Sequence, residues 1–222
     1  MHTEHAIASE TTAITIPPGR RWAVFSAAFA IIFVIAGVAI WSVFGKPLEA
    51  AHPDLSASVR ATAYTIYTFA LALCGIFSGR FADKYGTRPL MYIGGVLFGA
   101  GWALTGVVSS PFALYLVFGV MAGGGCGIVY NPCLATALRW FPDIRGKASG
   151  ILLASAAIGP AILSPVAQWL NNSVGVSTSL MILGICYAVV CLALGWLVTA
   201  PHRGGLLAGG PRLRGLQLGA AS

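Results

Sequence analysis

The chain is 222 residues long, 57% hydrophobic and 9% charged, with a formal net charge of +7 and a mean hydropathy of +0.83. Soluble domains carry about 25% charged residues, so the composition excludes an ordinary water-soluble globule and points to an all-α polytopic membrane protein. Nor does the charge indicate nucleic-acid binding, because the 13 Lys and Arg residues are scattered between apolar runs and do not gather on one soluble face.

Residues 1–19 carry Glu4 and Glu10 and contain no short apolar core followed by a cleavage site, so they read as a polar tail before a retained first helix. Six apolar runs follow: Trp22 to Phe44, Ala61 to Ser78, Pro89 to Val108, Phe112 to Leu138, Ala148 to Leu170 and Thr178 to Thr199. Each is close to the roughly 20 residues a helix needs to cross a bilayer, and none contains Asp, Glu, Lys, Arg or His. A spanning backbone must satisfy its own hydrogen bonds, and the runs lack the alternation of a membrane barrel, so helices are expected. Residues 20–200 are therefore read as a six-helix transmembrane unit. Residues 201–222, a Gly, Leu and Arg mixture without amphipathic period, read as a disordered tail.

With the N-terminus inside, eleven of the bases fall on the cytoplasmic side and only Lys46 and Arg60 outside, which predicts cytoplasmic termini in a plasma or inner membrane. Trp22, Trp41, Trp140, Trp169 and Trp196 lie near span ends, where an indole can keep its ring in lipid and its N–H wet. Cys74, Cys126, Cys133, Cys186 and Cys191 all fall within spans and read as small apolar fillers, without metal or redox spacing. Gly45 to Arg60 is expected as the longest outer loop, whereas Ser109, Ser110 and Pro111 make a minimal turn that pairs helices three and four as a hairpin. Gly95 and Gly99 on helix three, and Gly119, Gly123 and Gly127 on helix four, form flat strips for close packing or for sliding during a transport cycle.

Between the second and third runs stands Gly79-Arg80-Phe81-Ala82-Asp83-Lys84-Tyr85-Gly86-Thr87-Arg88, read as a turn of ten residues with glycine corners and an acid among bases. It closely resembles the G-x-L-A-D-R-x-G-R-[KR] signature of the major facilitator superfamily, with Phe81 in place of Leu and Thr87 in place of an Arg. The resemblance implies a cytoplasmic junction whose Gly79, Asp83, Lys84, Gly86 and Arg88 govern conformational gating.

The segment Gly127-Ile128-Val129-Tyr130-Asn131-Pro132, and the run from Arg139 through Trp140, Phe141, Pro142, Asp143, Arg145, Gly146 and Lys147 to Gly150, are similar to the oxalate:formate antiporter family and the related monocarboxylate transporters. Arg139, Asp143, Arg145 and Gly146 carry the loop between helices four and five. The resemblance covers roughly residues 20 to 200. It implies a secondary transporter of small organic anions, working without a cofactor by alternating access between two six-helix halves, of which this would be the N-terminal one. It also implies that the tyrosine matching Tyr130 lies near an anion pocket whose cationic residues come from helices eight and eleven of the second half.

Read from the residues alone, Pro132 removes a helix hydrogen bond and frees a carbonyl near Ile128. Tyr130 and Asn131 then either line a substrate wall or satisfy the freed backbone; Tyr64 and Tyr67 on helix two are further candidates for the substrate pathway. Gly146, Ser155, Gly159 and Pro160 partly resemble the G-x8-G-x3-G-P-x2-G-G signature of antiporters, and Gly159, Pro160 and Pro165 read as kink and packing residues. Val38, Ala39, Ile40 and Ala156 stand where the resemblance implies polar and aromatic side chains in oxalate-type members, so the resemblance implies a less polar monocarboxylate as a better fit than oxalate.

An intramembrane enzyme is not expected. His2, His5, His52 and His202 all lie outside the spans, so neither a shielded Ser–His pair nor a metal site forms at membrane depth. The sequence leaves open a truncated or frame-shifted product, a half-size transporter working as a homodimer, a non-transporting half-bundle, and a passive pore or scaffold. Topology is testable with single cysteines at Lys46 and Lys147 in a cysteine-free background. An impermeant maleimide applied to intact cells is expected to label position 46 and spare position 147; the reverse pattern would invert the orientation.

Overall fold

The computed structural model describes residues 18–198. The two tails expected at 1–19 and 201–222 therefore lie almost wholly outside the described residues. The six apolar runs map onto six rods. The first is α1 (Pro18–Ile35), a 3-10 stretch (Ala36–Phe44) and α2 (Gly45–Ala51). The second is α3 (Ala57–Tyr85), the third α4 (Thr87–Thr105), and the fourth α5 (Pro111–Leu114), a π-helical stretch (Tyr115–Ala122) and α6 (Gly123–Arg139). The fifth is α7 (Arg145–Val174) and the sixth α8 (Val176–Gly195).

Five of these rods are long and apolar enough to cross a membrane by length and composition. The remaining one, α4, has 19 residues and dilutes its apolar character with Arg88, Pro89 and four glycines, yet it is enclosed between α6 and α8. α1 and α6 contact each other, α3 flanks α6, and α7 flanks α1. α3 and α7 leave most of their apolar surface open.

Local chemistry fixes the ends. The Ser56 hydroxyl accepts from Val59 N–H at 3.4 Å to start α3, and the Ser110 hydroxyl accepts from Ala113 N–H at 3.3 Å ahead of Pro111 at the start of α5. Gly86 and Gly175 stop α3 and α7 at φ of +85°, a region that penalises any side chain. Three expectations are corrected here. The ten-residue turn is Gly86 alone, because α3 continues through Tyr85 and α4 begins at Thr87. The long outer loop shrinks to residues 52–56, because residues 45–51 extend the first rod as α2. Trp41 and Trp140 are buried in protein, whereas Trp22, Trp169 and Trp196 remain exposed.

The interior is aromatic where the rods lose regular winding. Trp41, on the 3-10 stretch, stacks on Phe118 of the π stretch with centroids 3.8 Å apart, and Tyr67 stacks on the same ring at 5.2 Å. Trp102 meets Trp41, Phe118 and Tyr187 edge-on. Such pairs add about 0.5–1.5 kcal/mol each beyond their area burial.

Glycine strips set the spacing between rods, and each has its own partner. Gly119, Gly123 and Gly127 face Ile66, the Tyr67 backbone and the Leu71 carbonyl of α3. Gly95 and Gly99 face Cys191, Ala188 and Gly184 of α8, while Gly94, Gly101 and Gly125 make the α4–fourth rod contact. A Cβ on Gly123 would lie 2.9 Å from Tyr67 Cα, whereas one on Gly79 would meet nothing within 4 Å. Gly123→Ala is therefore expected to destabilise the bundle by about 1–3 kcal/mol and lower its melting temperature in detergent. Gly79→Ala should be neutral or stabilising by up to about 1 kcal/mol; equal melting of the two variants would contradict this packing.

Candidate functional site

α3 and the fourth rod run parallel, with Ile66 beside Gly119, Tyr67 beside Gly123 and Leu71 beside Gly127. One more step along the strip brings Asn131, whose side-chain nitrogen occupies the place a Cβ on Gly75 would take. The amide thus continues the glycine strip as a polar group received by a glycine on the opposite helix. Directly below, the buried Ser78 hydroxyl lies 2.9 Å from the Gly75 carbonyl and 3.2 Å from the Gly127 carbonyl, shared between the two helices. α6 continues as helix through Pro132, and α7 through Pro160 and Pro165. Gly159 lets α7 approach the Phe33 carbonyl of α1.

The four residues expected along a substrate pathway fall at two depths. Tyr64 is exposed and stacks nearly parallel on Tyr67, whose ring is buried beside Phe118 and Cys126. Tyr130 is half-buried and Asn131 exposed, both at the level of Gly75. From the 1.5 Å rise per residue, that level lies about 17 Å along α3 from Tyr64. The structure therefore brings Tyr64 together with Tyr67 and Tyr130 together with Asn131, and leaves the pairs apart. Sequence reasoning missed Gly75 and Ser78; the small residues of Cys74-Gly75-Ile76-Phe77-Ser78-Gly79 were the available signal.

The two loop motifs converge at one end of the bundle, here called the motif end. Arg139, at the end of α6, donates to Asp83 at 2.7 Å, joining the fourth rod to the second. Arg21 donates to Asp143 at 3.1 Å and lies 4.2 Å from the centre of the Phe141 ring, which also contacts Trp22 and Phe25 edge-on. Thr87, where the signature has an Arg, shares a buried 2.9 Å hydrogen bond with Thr136, and Arg88 donates to the Trp196 carbonyl at 3.2 Å. Gly86 supplies the left-handed corner, while Gly79 has open space around it. Arg145 and Gly146 open α7, with nothing within 4 Å of a Cβ at 146. Lys84 lies 5.2 Å from the Tyr85 ring centre.

The opposite end carries a simpler clamp: Arg60 donates to Glu49 at 2.8 Å and to the Leu55 carbonyl at 2.7 Å, tying α2 to α3. Among the described residues, no three His, Cys, Asp or Glu side chains gather to hold a metal.

The family model of the Major Facilitator Superfamily matches residues 21–216. The chain is 34% identical over 191 residues to an oxalate:formate antiporter of Oxalobacter formigenes, covering 84% of this chain and 44% of that protein. It is 31% identical over 176 residues to monocarboxylate transporter 11 of Mus musculus, covering 76% and 38%, and 32% identical over 181 residues to monocarboxylate transporter 2 of Mesocricetus auratus, covering 80% and 37%. The chain thus spans less than half the length of the curated relatives it matches.

The Asn131–Gly75 fit is testable by a double-mutant cycle. Gly75→Ala is expected to cost about 1–3 kcal/mol by overpacking. Asn131→Ala in that background should recover most of the loss, a coupling of about 0.5–3 kcal/mol between contacting residues. Additive losses in thermal melting would remove the contact from the account.

Proposed function

This chain belongs to the major facilitator superfamily of transporters, and from that premise we propose that it is the N-terminal six-helix half of a secondary carrier of small organic anions. The motif end is cytoplasmic in this reading, and the membrane is the plasma or inner membrane. Alternating access requires two bundles that rock about a site between them. The single observation that carries the proposal is the Arg139–Asp83 pair, which joins the two sequence motifs across helices. With Arg21–Asp143 and Arg88–Trp196, it fastens the first, second, third, fourth and sixth rods at one end into a unit able to move as a body.

The open apolar faces of α3 and α7 support a second bundle beside this one, on a longer polypeptide or on a second copy. Tyr64 and Asn131, both exposed, and the half-buried Tyr130 offer neutral hydrogen-bond partners. The described rods contain no Lys, Arg or His at mid-depth, so the countercharge for a carboxylate is assigned to the second bundle. The name of the Oxalobacter relative supports oxalate/formate-type exchange. The apolar Val38, Ala39 and Ala156 favour a monocarboxylate over a dicarboxylate, while Ile40 is buried in the protein core.

The full chain, reconstituted in liposomes loaded with formate or lactate, is expected to exchange external labelled anion saturably and only when counter-substrate is inside. Flux that never saturates would replace the carrier with a pore, and no flux in crosslinked dimers or monomers would leave a non-transporting half. Asp83→Asn is expected to slow exchange by about five-fold or more, the scale of a conformational coupling of 1–3 kcal/mol. The swap Asp83→Arg with Arg139→Asp should restore much of the rate.

A further inference from the structure

α3 and α4 are joined by Gly86 alone, yet α3 packs chiefly on α6, and α4 packs on α8 and α6. Two helices so tightly connected in sequence and so differently engaged must diverge. Between them opens a cleft of about 510 Å³, within the range of about 300–1,000 Å³ typical of small-ligand sites. Phe77, Phe81 and Tyr85 of α3 form one wall, Pro89 and Ile93 of α4 the other, and Ile128 of α6 also lines it. Ser78 lines it too, but its hydroxyl is shared by the Gly75 and Gly127 carbonyls. The interior therefore offers apolar contact and almost no hydrogen bonding.

The mouth has the opposite chemistry. Lys84 lies beside the Tyr85 ring of the wall, and Arg80 is exposed one turn earlier on the same helix. The nearby acid, Asp83, is taken by Arg139 at 2.7 Å. Gly86 caps α4 without a side-chain hydrogen bond, so the positive end of a 19-residue helix also opens at this level. An apolar slot beneath fixed positive charge, in a chain built to lie in lipid, matches a molecule with a long hydrocarbon tail and an anionic head.

We propose that this cleft binds an anionic glycerophospholipid, with one acyl chain between α3 and α4 reaching Ile128 and the phosphate head at Lys84. The proposal does not depend on the transported substrate. The lipid fills the gap that the separate packing of α3 and α4 leaves beside Gly86, and so touches both helices that carry the signature residues.

The test places the purified full chain in phosphatidylcholine nanodiscs doped with phosphatidylglycerol carrying a diazirine at mid-chain, followed by irradiation and peptide mass spectrometry. Labelling is expected to concentrate at Ile93 and Ile128 over the lipid-exposed Phe112 and Ile158. Lys84→Gln, a change at an exposed position, should reduce it about five-fold while leaving labelling by diazirine-phosphatidylcholine unchanged. Lys46→Gln, at the other end, should have no effect, and Ile93→Trp should fill the slot and abolish the signal. Even labelling of every exposed helix, insensitivity to Lys84→Gln, or protection of the cleft by a second bundle or a second copy would overturn the proposal.

Discussion

Lipid tails are as apolar as the helices they surround, so burying apolar surface gives helices in a bilayer little net attraction for one another. Association must come from short-range dispersion and from polar contacts across the crossing. That requirement explains why this bundle removes side chains where rods meet. Gly123 and Gly127 lie against α3 backbone atoms, and Gly99 and Gly184 bring α4 and α8 into backbone contact with each other. The remaining arrangement follows from these crossings: α4 is held between α6 and α8, α3 is drawn against α6, and α3 and α4 part on either side of Gly86.

Polar groups serve registry more than adhesion. The Arg139–Asp83 and Arg21–Asp143 pairs are solvent-accessible, and pairs of this kind contribute about 0–1 kcal/mol. Their value lies in position. Together with the Thr87–Thr136 hydrogen bond and the Arg88 bond to Trp196, they fix the relative heights of five rods at one end. A network of weak, exposed links can be broken and remade without threatening the fold. The links made by the buried Ser78 hydroxyl and the exposed Asn131 amide lie deeper and join α3 to α6 alone.

The six runs were legible because charge-free stretches of this length have one outcome in a bilayer, and two of the motifs behind the family resemblance, around Asp83 and around Arg139, meet at a single end. Several features were not legible, for physical reasons. Arg80, Asp83 and Lys84 looked like loop residues, but long charged side chains near a helix end can reach water while their backbone stays helical. Residues 45–51 looked like loop because of Lys46 and Pro47, although proline is accepted in a first helical turn. The glycine strips were visible, but spacing alone carries no record of which neighbour a strip will face. Tyr64 and Asn131 were named together without information on depth, and the parallel course of their helices separates them.

The winding of the first rod has a mechanical consequence. Nine residues, Ala36–Phe44, are coiled at about three residues per turn, with a rise of about 2.0 Å each. Wound as ordinary α-helix, the same residues would be shorter by about 4.5 Å and would advance through about 180° less rotation. Glu49 sits on the short helix just beyond that stretch, so its phase around the axis is set by this tighter coil. Unwinding the coil would carry the Glu49 carboxylate to the far side of the rod from Arg60, and the clamp between the first and second rods would open without any bond at the motif end being touched.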